Sequence, residues 1–292
     1  MIIAVAAGIL DRAGIVMKFA APGRYSTTCP QCSHTRRKRK DPCLGVTIDG
    51  GSVGWRCFHC GWTGGEYFNP SRPTIRRRIP AARPGAHSND QNDHSRRALD
   101  IWREARDPRG TVVEQYLVSE RGLQLADDIV GDVIRFHPTL YYEGTRIGGM
   151  VALFRDIVTN EPCGIHRIFL DSAGRKLGRK MLGRAGGAAI KLDAEEEVTL
   201  GLFIGEGIET CLAAWLAGFR PVWALGSANA IASFPVVSGV EAISILGEMG
   251  DGGANDSAAN TCAARWIEAR REAFIVKPFV DGDLNDVWQE VA

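Results

Sequence analysis

The chain has 292 residues, 45% hydrophobic and 24% charged, which is the composition of a soluble globular protein with room for two or three domains. Its net charge of +1 hides a division: residues 1–100 hold 16 Lys+Arg against 7 Asp+Glu, and residues 101–292 hold 19 against 27. A membrane-spanning helix is excluded, because the apolar start Met1 to Leu10 is cut by Asp11-Arg12 far short of bilayer length and no other segment comes near it.

An amphipathic helix is expected over residues 1–19. Eight cysteines, four of them paired as Cys-x-x-Cys, suit a reducing compartment better than a disulfide framework, so a cytoplasmic protein is expected. The basic front and acidic back fit a nucleic-acid-touching module joined to a metal-binding one, with a chance imbalance of solvated charge as the alternative.

Cys29-Pro-Gln-Cys32 and Cys57-Phe-His-Cys60 place two thiolate knuckles 24 residues apart, the spacing of a tetrahedral four-cysteine zinc site. Between them, Gly45–Ile48 and Val53–Arg56 alternate like hairpin strands around Asp49-Gly50, so residues 1–68 read as an N-terminal helix and a small β zinc ribbon. His34, His59 and Cys43 lie near the knuckles, but four thiolates already fill the site. Arg36, Arg37, Lys38, Arg39 and Lys40 form an unbroken cationic run on this small scaffold, a candidate contact for a phosphate backbone rather than a merely solvated loop.

Residues 69–95 read as a flexible linker, with four prolines, Arg76-Arg77-Arg78 and a polar Ser-Asn-Asp-Gln-Asn-Asp run. Residues 96–197 read as an α+β subdomain. A helix is expected from Arg96 to before Pro108 and another through Val112, Val113, Tyr116 and Leu117, followed by strands at 133–136, 149–156 and 164–170. A basic tract closes the block: Arg167, Arg175, Lys176, Arg179 and Lys180, then Arg184 and Lys191 among Gly183, Gly186 and Gly187. It is read as a bendable segment that follows a phosphate backbone or holds a triphosphate, against the plainer reading of a solvated hairpin.

Residues 198–292 alternate strand and helix, which calls for a two-sided parallel sheet. The first strand ends in Gly205-Glu206-Gly207, where glycines let a ligand approach the backbone. Glu248 follows the third strand and Asp283 the fourth, with Asp251 in the loop between. Carboxylates gathered at one sheet edge need a counter-ion, and Mg2+ or Mn2+ meets that need where a phosphate is received. Asp256 and Asp286 are expected to cap helices, and Glu209 to face out from the first helical turn.

Residues 199–291, through Ile204-Gly-Glu-Gly207, Glu248 and Asp283, resemble a Toprim domain. With the zinc ribbon at 29–60 and the basic block (Ala173-Gly-Arg-Lys and Gly183 to Lys191), the order of modules is similar to that of DnaG-type primases borne by phages and plasmids. The resemblance implies a multi-domain α/β protein that makes short RNA primers on single-stranded DNA. Structural Zn2+ would be held by Cys29, Cys32, Cys57 and Cys60, and catalytic Mg2+ or Mn2+ by Glu206, Glu248, Asp251 and Asp283. Arg175, Lys176, Arg179 and Lys180 would guide template or nucleoside triphosphate. One departure stands out: the second acidic motif reads Gly247-Glu-Met-Gly-Asp251 instead of Asp-x-Asp. No Walker-type loop occurs in the sequence, so a separate helicase is the implied partner. A Toprim nuclease and a non-catalytic single-strand-binding protein remain as other readings.

Overall fold

The computed structural model describes residues 2–17, 21–35, 39–40, 42–48, 51–57, 60, 62–67, 89–249, 253–279 and 282–291. The chain forms two compact units, Met1–Ala86 and His87–Ala292.

In the first unit, helix α1 (Ile2–Arg12) is shorter than expected and turns at Gly14, whose φ of 72° suits glycine. Four antiparallel strands follow in sequential order: β1 (Gly23–Thr27), β2 (Leu44–Ile48), β3 (Ser52–Cys57) and β4 (Thr63–Tyr67). The alternation seen in the sequence buries Leu44, Val46 and Ile48 with Val53, and Ala6, Ile9 and Leu10 of α1 join the same core. The Asp49-Gly50 turn lies outside the described residues. So few apolar side chains, each stabilising by about 1.5–3 kcal/mol, leave a unit this size in need of a staple.

The second unit is built on a nine-stranded sheet that runs through both the expected α+β block and the expected parallel domain. Helix α2 (Asn89–Glu104) starts inside the stretch expected to be linker, whose remainder lies outside the described residues. Its polar first turns are held by an Asp93–Arg96 pair at 2.5 Å and by Ser95, which donates to the Cys163 carbonyl at 2.9 Å. Its buried Ala98 and Trp102 rest on Val151, Leu153, Ile165 and Phe169.

Thr111 caps the short helix α3 (Val112–Glu114), which opens into a π-helical turn over Gln115–Glu120. Then come β5 (Ile134–Tyr142), β6 (Thr145–Asp156), β7 (Pro162–Leu170), β8 (Lys176–Gly183) and β9 (Ala188–Lys191). The basic tract is therefore not a loose glycine-rich segment. Residues 176–183 are a full strand paired antiparallel to β7, and β9 pairs antiparallel with β6.

The parallel part consists of β10 (Gly201–Gly205), β11 (Val222–Ala224), β12 (Ala242–Leu246) and β13 (Glu272–Val276), in the order β13-β12-β10-β11. β9 pairs antiparallel with β11 and so welds this part to the antiparallel strands. Helices α4 (Ile208–Leu216) and α7 (Leu284–Val291) cover one face; α5 (Ala228–Ala232) and α6 (Ala254–Glu268) cover the other. Burial on both faces explains why these strands read as apolar runs.

Candidate functional site

In the first unit the four predicted cysteines converge. Cys29 and Cys60 Sγ lie 3.8 Å apart, Cys32 and Cys57 Sγ 3.7 Å, and all four sulfurs fall within 4.8 Å of one another. Zinc–sulfur bonds of about 2.3 Å give a tetrahedron with edges of about 3.8 Å, so this thiol set fits a metal of that geometry. Burial pushes the Cys29 thiol up to about 11, and a cation supplies what holds such crowded sulfurs as thiolates. Cys43 Sγ lies 3.9 Å from Cys32 but outside the tetrahedral group, and His34 is exposed and apart from it. His59 lies outside the described residues. Of the cationic run, Arg39 and Lys40 are exposed, while Arg36, Arg37 and Lys38 lie outside the described residues.

In the second unit, β10, β12 and β13 are neighbouring parallel strands, and Glu206, Glu248 and Asp283 all follow their C-terminal ends. Gly205 is required at the turn, because a Cβ there would lie 2.7 Å from Cys211 Sγ of α4. An antiparallel bridge between Met249 and Gly282, with N–O distances of 2.8 and 3.2 Å, ties the loops after β12 and β13 together. In that sense of pairing the residue before Met249 stands across from the residue after Gly282, which brings the backbones of Glu248 and Asp283 alongside each other.

Asp283 also has a duty the sequence reading assigned elsewhere. Its Oδ1 accepts from the Asn285 and Asp286 amides at 2.7 and 3.2 Å, and Asp286 Oδ2 accepts from the Asp283 amide at 2.8 Å. Asp283 is thus the N-cap of α7, with Asp286 as its reciprocal partner. Its Oδ2 accepts from Thr210 Oγ1 at 2.7 Å. Asp256, expected to cap α6, lies inside the first turn instead and pairs with Lys277 at 2.6 Å, because Gly253 starts that helix.

Among the described residues, the four cysteines are the one group of three or more Cys, His, Asp or Glu whose ligand atoms come that close together; Asp251 lies outside the described residues. The acidic edge is accordingly open. Its hard oxygen donors suit Mg2+, which commonly takes one or two carboxylates and completes its shell with waters and phosphate oxygens.

The cations sort by face. Antiparallel register sets Arg179 beside Ile168 on the sheet face that carries α4, and Lys180 beside Arg167 on the face that carries α2. Arg179 Nη2 reaches Glu206 Oε1 at 3.3 Å, with Glu206 16% exposed. Lys180 instead lies over the Tyr142 ring at 5.2 Å, and Arg167 donates to the Met181 carbonyl and covers Phe169. Arg175 pairs with Asp171 at 2.8 Å. Of the five predicted basic residues in this tract, Lys176 and Arg179 meet the acidic edge.

The partner of Lys176 is Glu209, which overturns the expectation that Glu209 faces solvent. Every residue from Ile208 to Trp215 is buried, because α4 is enclosed by the sheet, the π-helical turn and α7. Glu209 Oε1 accepts from Lys176 Nζ at 2.5 Å and from the Tyr116 hydroxyl at 2.6 Å, with the carboxylate side chain 7% exposed. Burial opposes its charge, yet the ammonium and the hydroxyl prevail and hold its carboxyl at about 2. Tyr116 is pushed well up by burial and by the Glu209 charge, and so stays a hydroxyl donor. Nearby His166, 2% exposed, is driven down to about 4 by burial and is a neutral imidazole at pH 7. The buried Cys211 thiol is pushed well up by burial, and the charges of Asp283, Glu209 and Glu248 add to it.

Sequence reasoning missed Glu209, Thr210 and Tyr116. The available signal was position: Glu209 and Thr210 are polar residues in the first turn of an otherwise apolar helix that starts right after Gly205-Glu206-Gly207.

Residues 92–192 match the family model of a domain of unknown function, DUF7146, and residues 201–292 match that of the Toprim domain. No curated protein matches the chain. Among solved structures, the chain is similar to the primase fragment of the bacteriophage T7 primase-helicase protein, at 15% identity over 91% of this chain and 94% of that one, with a TM-score of 0.47. It is also similar to the zinc-binding and RNA polymerase domains of the Aquifex aeolicus primase, at 15% identity, 97% and 80% coverage and a TM-score of 0.49. A DNA primase domain from Pseudomonas aeruginosa matches at 14% identity, 63% and 69% coverage and a TM-score of 0.45. The chain therefore carries, behind a four-cysteine module, the domain that DUF7146 describes and then a Toprim domain at residues 201–292.

Proposed function

We propose that the protein is a DNA primase: it makes short RNA primers on a single-stranded DNA template from nucleoside triphosphates. The observation that carries this reading is the meeting of two charge sets. The inward cations of β8, Lys176 and Arg179, stand against Glu206 and Glu209 at the C-terminal edge of a Toprim sheet. A nuclease would use the same acids to activate water and would need no nucleoside triphosphate, so nucleotide dependence separates the two readings.

Phosphoryl transfer of this kind asks the protein mainly to position groups and balance charge. Glu206, Glu248, Asp251 and Asp283 would hold Mg2+ or Mn2+, which when bound neutralises phosphate charge and favours attack by a 3′-hydroxyl. Lys176 and Arg179 would orient the triphosphate, and Glu206 would act as a base or as an electrostatic anchor for that hydroxyl. Cys29, Cys32, Cys57 and Cys60 would hold structural Zn2+ in a module that, with Arg36 to Lys40, reads the template. A helicase acting beside this chain and a cytoplasmic setting belong to the same reading. Among the described residues no helix is long and apolar enough to cross a membrane.

The test is synthesis on mixed-sequence single-stranded DNA with labelled NTPs and Mg2+, compared with Glu206→Ala. Short labelled oligomers from the unaltered chain and none from the variant are expected. Shortened DNA without nucleotides would favour the nuclease; bound, intact DNA without oligomers would favour a binding protein.

A further inference from the structure

We infer that Glu209 is a positioning residue for Lys176, and that the Tyr116–Glu209–Lys176 group sets the ammonium that receives the phosphates of a nucleoside triphosphate. The inference rests on the primase reading of the site and deepens it.

The geometry is lopsided in a way that a plain structural ion pair does not require. One carboxylate oxygen, Glu209 Oε1, takes both Lys176 Nζ at 2.5 Å and Tyr116 Oη at 2.6 Å. The Glu209 side chain is 7% exposed, whereas the Lys176 side chain is 24% exposed, so the carboxylate is the deeper partner and the lysine the one nearer solvent. Glu209 occupies one of the three N–H donors that an ammonium carries. A lysine is otherwise a mobile point charge on a four-carbon stem; anchored from below, its remaining donors have a fixed direction.

The anchor is itself anchored. Tyr116 sits in the π-helical turn, a rare element that recurs at functional sites, and Arg121 Nε reaches its hydroxyl at 3.3 Å. The carbonyls of Glu120, Arg121 and Gly122 accept from Gln289, Asn285 and Trp288 of α7, at 2.8, 2.9 and 2.8 Å. The first residue ahead of α7 is Asp283, and Thr210, next to Glu209, donates to it. Lys176 and Asp283, one cation and one carboxylate of the candidate site, are thus referred to the same turn of α4. A closed set of hydrogen bonds fixes their separation.

The experiment uses the full chain and inorganic tripolyphosphate with Mg2+, titrated calorimetrically, so that it does not depend on polymerisation. Lys176→Gln is measured in the wild-type and Glu209→Gln backgrounds. Losing a charge-assisted hydrogen bond weakens binding by about tenfold or more in the wild-type background. If Glu209 positions the ammonium, the same substitution costs less than about twofold in the Glu209→Gln background. Tyr116→Phe, which keeps the ring and the fold, reproduces part of the Glu209→Gln effect and serves should the latter unfold. Glu209→Asp restores part of the Lys176 dependence. An equal loss from Lys176→Gln in both backgrounds, or no measurable tripolyphosphate binding by the wild type, overturns the inference. If coupling is found but no oligomers are made on DNA, the polymerase reading fails and this one stands. If oligomers are made and coupling is absent, this one fails alone.

Discussion

Replacing Glu209 with Gln tests the buried pair through pH as well as through binding. The Glu209 carboxyl is held at about 2 instead of the usual 4.5. At 1.36 kcal/mol per tenfold in acidity, that difference amounts to about 3 kcal/mol of folding stability at neutral pH. The carboxyl is depressed in the folded state, so the contribution is complete above about pH 4.5 and is lost as the pH falls toward 2. At pH 3 about 1.4 kcal/mol of it remains by the same linkage relation. Glu209→Gln keeps the shape and a hydrogen-bonding partner for Tyr116 but leaves Lys176 without a counter-charge, a loss of the order of 3–5 kcal/mol for buried pairs and somewhat less here because the lysine is partly exposed. Urea unfolding of both proteins between pH 3 and pH 7, read by hydrogen exchange in β10 and α4 peptides, reports on the second unit alone. The gap between the proteins is expected to be about 3 kcal/mol at pH 7 and to narrow below pH 4.5. A gap that stays constant down to pH 3, or no gap at pH 7, would show that the ion pair does not hold Glu209 charged.

Metal removal gives a second test: chelation, or Cys60→Ser, is expected to unfold the four-stranded sheet and shift the fluorescence of the Trp55–Trp62 pair, while the second unit keeps its helix signal. Thr210→Val removes the hydroxyl that orients Asp283 and is expected to weaken Mn2+ binding about 10- to 100-fold, with Thr210→Ser close to wild type by calorimetry. Gly226→Ala places a Cβ 2.9 Å from both Phe154 and Met181 at a φ of +80°, so a loss of about 2–4 kcal/mol is expected in thermal or urea unfolding, against about 1–2 kcal/mol for Gly110→Ala, which has open space and bears only the strain of its positive φ.

Where one face of an element is buried, the sequence was a good guide. Leu44, Val46 and Ile48 alternate, and they form the buried side of β2. The Cys-x-x-Cys pairs state their own geometry, since two knuckles have few ways to meet other than around a metal. The failures share a cause. Glu209 lies on what a helical wheel calls the polar side of α4, and the wheel assumes that one side meets water; enclosure by the π-helical turn and α7 comes from residues ninety positions before and seventy after. The basic tract misled for a related reason. Alternation of Lys176, Arg179, Lys180 and glycines resembles solvated loop chemistry until β7 fixes a register and sends Arg179 to one face and Lys180 to the other.

The departure in the second acidic motif takes on a different weight once the loops are seen together. In an Asp-x-Asp motif both carboxylates come from one loop, so a single substitution would cost half of that loop's charge. Here Glu248 does not stand alone on its loop edge. The Met249–Gly282 bridge brings the backbone of Asp283 alongside it from another strand, and the three hydrogen bonds that Asp283 accepts, two at Oδ1 and one at Oδ2, leave Oδ2 a lone pair for a cation. Glutamate reaches one methylene farther than aspartate, which suits a residue that must meet a partner across a bridge rather than along its own loop. If that compensation operates, Glu248→Asp shortens the reach and weakens Mn2+ binding by several-fold, although it makes the motif more like Asp-x-Asp. Tighter binding by Glu248→Asp would mean that the loop, and not the bridge to Asp283, sets the site.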